Sequence, residues 1–215
     1  MVTLPVLNER LGLLVSGRPD EKLLASQKAG PGDLWHSGLT RGLENVLTEL
    51  VYWDPGWWYL SNCPADTVAV NWRVDPEAFA IRPEVWERLG GFDTAYESDI
   101  MRAADLGFRM IQAGGVPMHV PELYPAERAR RVEIPRRDLY LFFTRNFKRD
   151  YRLYLYAREA ARTLSPFREW GLLRSAEERA AQVPAPVTRT IPLRPLLPPD
   201  PDAKVSVVIP TMRRQ

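Results

Sequence analysis

One cysteine, Cys63, in a chain of 215 residues excludes an internal disulfide framework. A reducing cytoplasm is then the expected compartment, with Cys63 as an ordinary thiol. No run of apolar residues reaches the 18 or so needed to cross a bilayer, and the amino terminus lacks a charged-then-apolar signal pattern. The chain is therefore not expected to span a membrane by itself. Aspartate is scarce at the start: Asp20 and Asp33 are the only ones before residue 50, both in loops containing Gly, Pro or Ser. What is present is a 45% apolar composition, enough to pack a core, and a length that fits one or two domains.

The stretch from Phe79 to Gly114 is the most informative. Gly90-Gly91 closes a short helical run with a left-handed cap and a sharp reversal. From Ser98 onward, Ile100, Met101, Ala104, Phe108 and Ile111 recur at helical spacing. Ser98 or Asp99 serves as N-cap and Gly114-Gly115 as the stop, so a helix with one face on a sheet is expected.

Several elements here stand in a fixed order. Phe79-Ala80-Ile81-Arg82 is an apolar strand ending in Arg. Val85 to Asp93 is a short helix followed by the turn Gly90-Gly91-Phe92-Asp93. Asp105-Leu106, Arg109 and Ala113-Gly114 follow in register. Together they resemble glycosyltransferase family 2, inverting enzymes of the GT-A fold that transfer a sugar from a nucleotide-sugar donor. The resemblance implies an α/β fold with a partial GT-A-like mixed sheet.

It also implies roles. The family helix begins with a pair of acids, in the pattern acid-acid-x-Asp-Leu-x-x-Arg, and the second acid takes the proton from the acceptor hydroxyl. A base must lie within hydrogen-bonding reach of that proton. Registered on Asp105, Leu106 and Arg109, this chain has Arg102 and Ala103 at the pair. Asp99, one turn earlier on the same face, is the remaining candidate base, with Glu97 behind it. Trp72, Asp75, Arg82, Asp93, Glu97, Asp105 and Arg109 are the candidate substrate-binding residues. A complete family domain uses Mg²⁺ or Mn²⁺ to neutralise the leaving diphosphate, held by an Asp-x-Asp turn and often by a His after the Pro of the next strand. No Asp-x-Asp precedes Phe79, and His119 comes before Pro121, so no metal ligand is assigned. His119 reads as a hydrogen-bonded structural residue. The donor-binding half is expected to be missing or severely reduced.

Upstream, alternating apolar groups and Gly/Pro/Asp turns predict little structure with loops, then a helix from about Leu39 to Tyr52. Trp53, Trp57, Trp58 and Tyr59 suit either sugar stacking or packing. Val68 to Arg73 is predicted as a strand leading towards Phe79, which makes Trp72 and Asp75 better site candidates than the earlier tryptophans.

Between Arg136 and Arg174, ten Lys or Arg face four Asp or Glu, a local balance of +6 in a chain of net charge +2. Aromatic and leucine residues interleave with them, and Tyr140 to Asn146 resembles the aromatic-then-Arg-Asn segment that follows the family's catalytic domain. Three readings stay open: a solvated helical face on the preceding domain, contact with an anionic membrane surface, and nucleic-acid binding. The pI of 8.8 is too mild to favour the last, so no nucleic acid is expected as partner.

Residues 184–201 hold seven of the twenty prolines and are expected to act as a semi-rigid spacer. Beyond them, Lys204 to Thr211 resembles the opening strand of a second family 2 domain. The expected organisation is a degenerate domain over 1–135, a basic aromatic helical segment over 136–183, a linker over 184–203, and the first strand of a truncated second domain over 204–215. Function is expected to be sugar transfer to a glycan or lipid-linked acceptor in the full-length protein, at the cytoplasmic face of the membrane. The alternative is a non-catalytic module that binds glycan or positions a partner transferase domain.

Overall fold

Alternating side chains set the two faces of a central sheet. In the computed structural model, which describes residues 4–44, 46–47, 63–125 and 132–192, Phe79 and Ile81 of β5 (Phe79–Ile81) point to one side and Ala80 to the other. Leu34 and Trp35 of β3 (Leu34–His36) divide in the same way. These strands join β1 (Val6–Asn8), β2 (Leu13–Ser16), β4 (Ala69–Val70) and β6 (Pro117–His119) in a six-stranded mixed sheet of order β1-β2-β5-β3-β6-β4. The β3–β6 pair is parallel, with His36 opposite His119, and the other pairs are antiparallel. With six α-helices among the described residues, the chain is α/β.

The segment before Phe79 is more ordered than its loop-rich composition predicts, because it supplies four of the six strands. It also supplies α1 (Glu21–Lys28), whose N-cap Asp20 accepts hydrogen bonds from the amides of Lys22 and Leu23, each at 2.9 Å. Leu24 of this helix is buried with Leu13, Trp35, Ala80 and Leu123 on one face of the sheet.

Against the other face lie α2 (Pro83–Leu89) and α3 (Asp99–Gln112), burying Val85, Leu89, Ala103, Leu106 and Met110 with Phe79 and Ile81. Pro83 opens α2, and Gly90 and Gly91 end it with φ of 69° each, a conformation that a Cβ would strain. Ser98 caps α3 as expected, its Oγ accepting from the Met101 amide at 3.3 Å. At Gly107 the helix presses on the backbone of the preceding connection: a Cβ there would lie 2.2 Å from the Trp72 carbonyl oxygen. Only glycine permits that approach.

Opposite the sheet, α3 meets α4 (Arg136–Asn146), α5 (Arg149–Thr163) and α6 (Pro166–Gln182). Met101, Ala104 and Phe108 pack there with Tyr140, Phe142, Leu155, Leu173 and Ala176 in one cluster. The basic aromatic segment thus completes the core instead of forming a separate layer. None of the described helices is long and apolar enough to cross a membrane.

Three expectations need correction. The predicted helix from Leu39 is a single 3₁₀ turn, Leu39–Arg41, because Gly42 adopts φ 91° and Leu47 φ 55°; its continuation to Tyr52 lies outside the described residues. The predicted strand over Val68 to Arg73 shrinks to Ala69–Val70, since Asn71 and the residues after it leave the sheet to run under α3. The linker is a docked strap as far as residue 192. Arg189 N donates to Arg88 O at 2.8 Å, Ile191 N donates to Ala113 O at 2.9 Å, and the Ile191 side chain is buried against Met110 and Ala113. The remainder of the linker, Lys204 to Thr211, and the Trp53, Trp57, Trp58 and Tyr59 cluster lie outside the described residues.

Candidate functional site

The motif's polar residues converge on the junction of α2, α3 and α4. Asp105 and Arg109 are one turn apart on α3, and burial of the surrounding apolar face carries both inside. Arg109 Nε donates to Asp105 Oδ2 at 2.6 Å, while its Nη1 and Nη2 donate to the carbonyls of Leu89 and Gly91. One guanidinium therefore satisfies carbonyls at the end of α2. The second oxygen of Asp105 accepts from Tyr96 Oη at 3.1 Å. Burial and the nearby Asp105 and Asp93 charges hold the Tyr96 hydroxyl well above the usual phenol range.

Asp93 is held from two sides. Its Oδ1 accepts from the Ala95 amide at 2.8 Å, and its Oδ2 lies 3.0 Å from Arg145 Nε of α4. Burial pushes its carboxyl pKa up, against the opposing pull of the Ala95 amide and Arg145. Arg145 also donates to Val183 O at 2.8 Å, so it joins the GGFD turn to the end of α6.

The other candidates are also turned inward. Trp72 has no exposed surface and packs against Phe108 and Phe142, with ring centroids 5.9 and 6.1 Å away. Asp75 accepts from Arg41 Nε at 2.7 Å and caps its own turn through the Glu77 amide. Arg82 donates to Gly32 O and Lys28 O, faces Asp33 at 4.0 Å, and lies over the Trp35 ring at 5.0 Å. These residues are brought to the sheet and helix junctions, but not to a common surface.

Glu97 and Asp99 alone keep solvent access. The Asp99 side chain is 37% exposed, and Arg102 Nη1 lies 2.7 Å from its Oδ1. Arg102 also donates from Nε to Tyr96 O at 3.0 Å. Arg102, one of the two residues that the resemblance sets at the acid pair, is thus the one that engages Asp99. Glu97 pairs with Arg137 at the rim.

Sequence reasoning missed Asp138. Fully buried on α4, it accepts from the amides of Glu97 and Ser98, both at 2.8 Å, and from Ser98 Oγ at 2.7 Å. The positive end of α3 is therefore occupied by a carboxylate of the chain itself. The acid near the start of α4 gave no local clue to this partner.

His36 and His119 form a second buried pair, their rings 5.5 Å apart. His36 Nε2 donates to Asn71 O at 2.8 Å and its Nδ1 accepts from Gly38 N at 3.0 Å, which fixes the neutral tautomer. His119 Nε2 donates to Ala65 O at 2.9 Å, in agreement with a structural role. Burial and the neighbouring His119 lower the His36 pKa to about 3, and burial lowers that of His119 as well.

Among the described residues, no three of His, Cys, Asp and Glu come together in a way that could hold a metal ion. Asp33, Asp75, Asp93 and Asp105 each face an arginine instead. These side chains do not fit the divalent cation that the resemblance implies for a complete domain.

No protein-family model matches this chain, and neither a curated protein nor a solved structure matches it significantly.

Proposed function

We propose that this chain is a GT-A-like scaffold derived from glycosyltransferase family 2, serving as a non-catalytic module that positions a glycan acceptor or a partner transferase domain. One observation carries the reading. The motif residues Asp93, Asp105 and Arg109 are spent on the C-terminal end of α2, on Tyr96 and on Arg145, so the polar half of the signature closes on itself. Such a motif preserves the shape of an acceptor-side scaffold while offering no free carboxylate from its core. Sugar transfer from a nucleotide-sugar to a glycan or lipid-linked acceptor would then be the work of the partner transferase domain, at the cytoplasmic face of the membrane.

A second reading keeps turnover within the chain. It is favoured by Asp99, which reaches solvent at the start of α3, one turn before Ala103. Assays of nucleotide-sugar hydrolysis and transfer with Mg²⁺ or Mn²⁺ separate the two. The positioning module gives no metal-dependent turnover in the wild type and none in Asp99→Asn. Turnover that needs metal and disappears in Asp99→Asn would sink it and install Asp99 as the base.

A further inference from the structure

The turn between α5 and α6 carries apolar side chains that the core does not use. Leu164 is 87% exposed, Phe167 91% and Trp170 45%. Phe167 and Trp170 stand three residues apart in α6 and so share a face, and Trp170 is edge-on to Tyr156 of α5 at 5.5 Å. Leu164 caps α5 with φ 52°, a left-handed conformation in which glycine or asparagine is the usual choice. A leucine there gains no burial in return. The fold does not explain it.

The charge around this tip is sorted by sign. Between Tyr151 and Ala176 the only acids are Glu159 and Glu169, and both are buried. Glu169 accepts from Tyr140 Oη at 2.9 Å and pairs with Arg136, which also approaches Glu159 at 3.5 Å. The arginines lie outward: Arg168 is exposed, Arg158 half-buried, and Arg162 keeps 61% of its side chain in solvent while reaching Glu159. The tip therefore presents aromatic and leucine side chains ringed by cations, with its carboxylates facing the interior.

That arrangement matches an anionic lipid surface in both respects. Apolar and indole side chains favour the interfacial zone, and arginines are drawn to anionic headgroups. The geometry points to the α5–α6 turn as a peripheral membrane-docking site, with Leu164, Phe167 and Trp170 entering the interface and Arg158, Arg162 and Arg168 at headgroup level. This surface is independent of any role for the glycosyltransferase-like motif.

Flotation of the full chain with vesicles tests it, using phosphatidylcholine alone or mixed with phosphatidylglycerol. The chain should float with the anionic vesicles at low salt, and much less with neutral vesicles or at high salt. Leu164→Ser/Phe167→Ser/Trp170→Ser should weaken anionic binding by about tenfold or more with an unchanged circular-dichroism spectrum. Arg162→Gln/Arg168→Gln should weaken it while reducing the salt dependence. Absence of binding to anionic vesicles, or equal binding by wild type and the triple variant, overturns the proposal. So does light scattering that shows a dimer abolished by the triple variant, which would assign the patch to a second copy of the chain.

Discussion

Asp138 caps a helix forty positions before it: its Oδ2 lies 2.8 Å from Ser98 N and 2.7 Å from Ser98 Oγ. Together with the Glu97 amide, three donors at the start of α3 depend on this one carboxylate. Asp138→Ala should destabilise the protein by about 3 kcal/mol, since cap loss is compounded by donors left buried. Asp138→Asn, which keeps one acceptor oxygen, should cost less. Urea denaturation measures both, with the exposed Asp150→Ala expected to shift stability by no more than about 0.5 kcal/mol.

The Asp93–Arg145 pair lends itself to a double-mutant cycle. Removing either partner leaves a charge stranded out of water, at a cost of about 3 to 5 kcal/mol. Asp93→Asn/Arg145→Met should be more stable than the sum of the single changes, because it strands neither charge. Additive losses would show that the two residues act separately.

Acid should unfold the protein through His36. Its folded pKa of about 3 lies below the unfolded value of 6.5, so the unfolded chain binds the proton more readily. The stability from a neutral His36 is present above pH 6.5 and is lost as pH falls towards 3, at about 1.4 kcal/mol per pH unit. Protonation of Nδ1 would set it against the Gly38 amide that it now accepts from. Denaturation midpoints between neutral and mildly acidic pH should fall accordingly, and His36→Gln should flatten that slope while lowering stability at neutral pH.

Gly107→Ala sets two effects against each other. Alanine favours a helix interior over glycine by about 1 kcal/mol. The added Cβ would stand 2.2 Å from Trp72 O, a backbone atom, and relieving that overlap costs about 1 to 3 kcal/mol or more. The clash should win, with thermal unfolding shifted to lower temperature.

Features encoded within one turn of chain were legible before the structure. Ser98 as the α3 cap and the Gly90-Gly91 end of α2 both follow from local chemistry, as does the α3 periodicity of Met101, Ala104 and Phe108. The sheet was less legible, since strands of two to four residues give too little alternation to read, and β4 has only Ala69 and Val70. Long-range polar partners were illegible for a different reason. Arg145 meets Asp93 across 52 positions and Asp138 meets Ser98 across 40, and nothing in either neighbourhood marks the other. The motif's inward turn could not be read for the same reason: spacing shows that Asp105 and Arg109 share a helix face, but not whether that face meets a substrate or the end of α2. Ile191 gave little hint of the strap, since Val187 and Leu193 are likewise apolar residues set among prolines and polar residues.

The strap also gives the chain a second attachment after its last helix. Beyond Val183 the chain is fastened to the body again, through Ile191 and the bonds from Arg189 and Ile191 to Arg88 and Ala113. These anchors lie at the ends of α2 and α3, so the strap bridges the outer helices to the side of the core that faces the sheet. Pinned by Arg145 at Val183 and by Arg88 and Ala113 further on, the strap limits fraying of α6 through attachments that lie outside the helix itself.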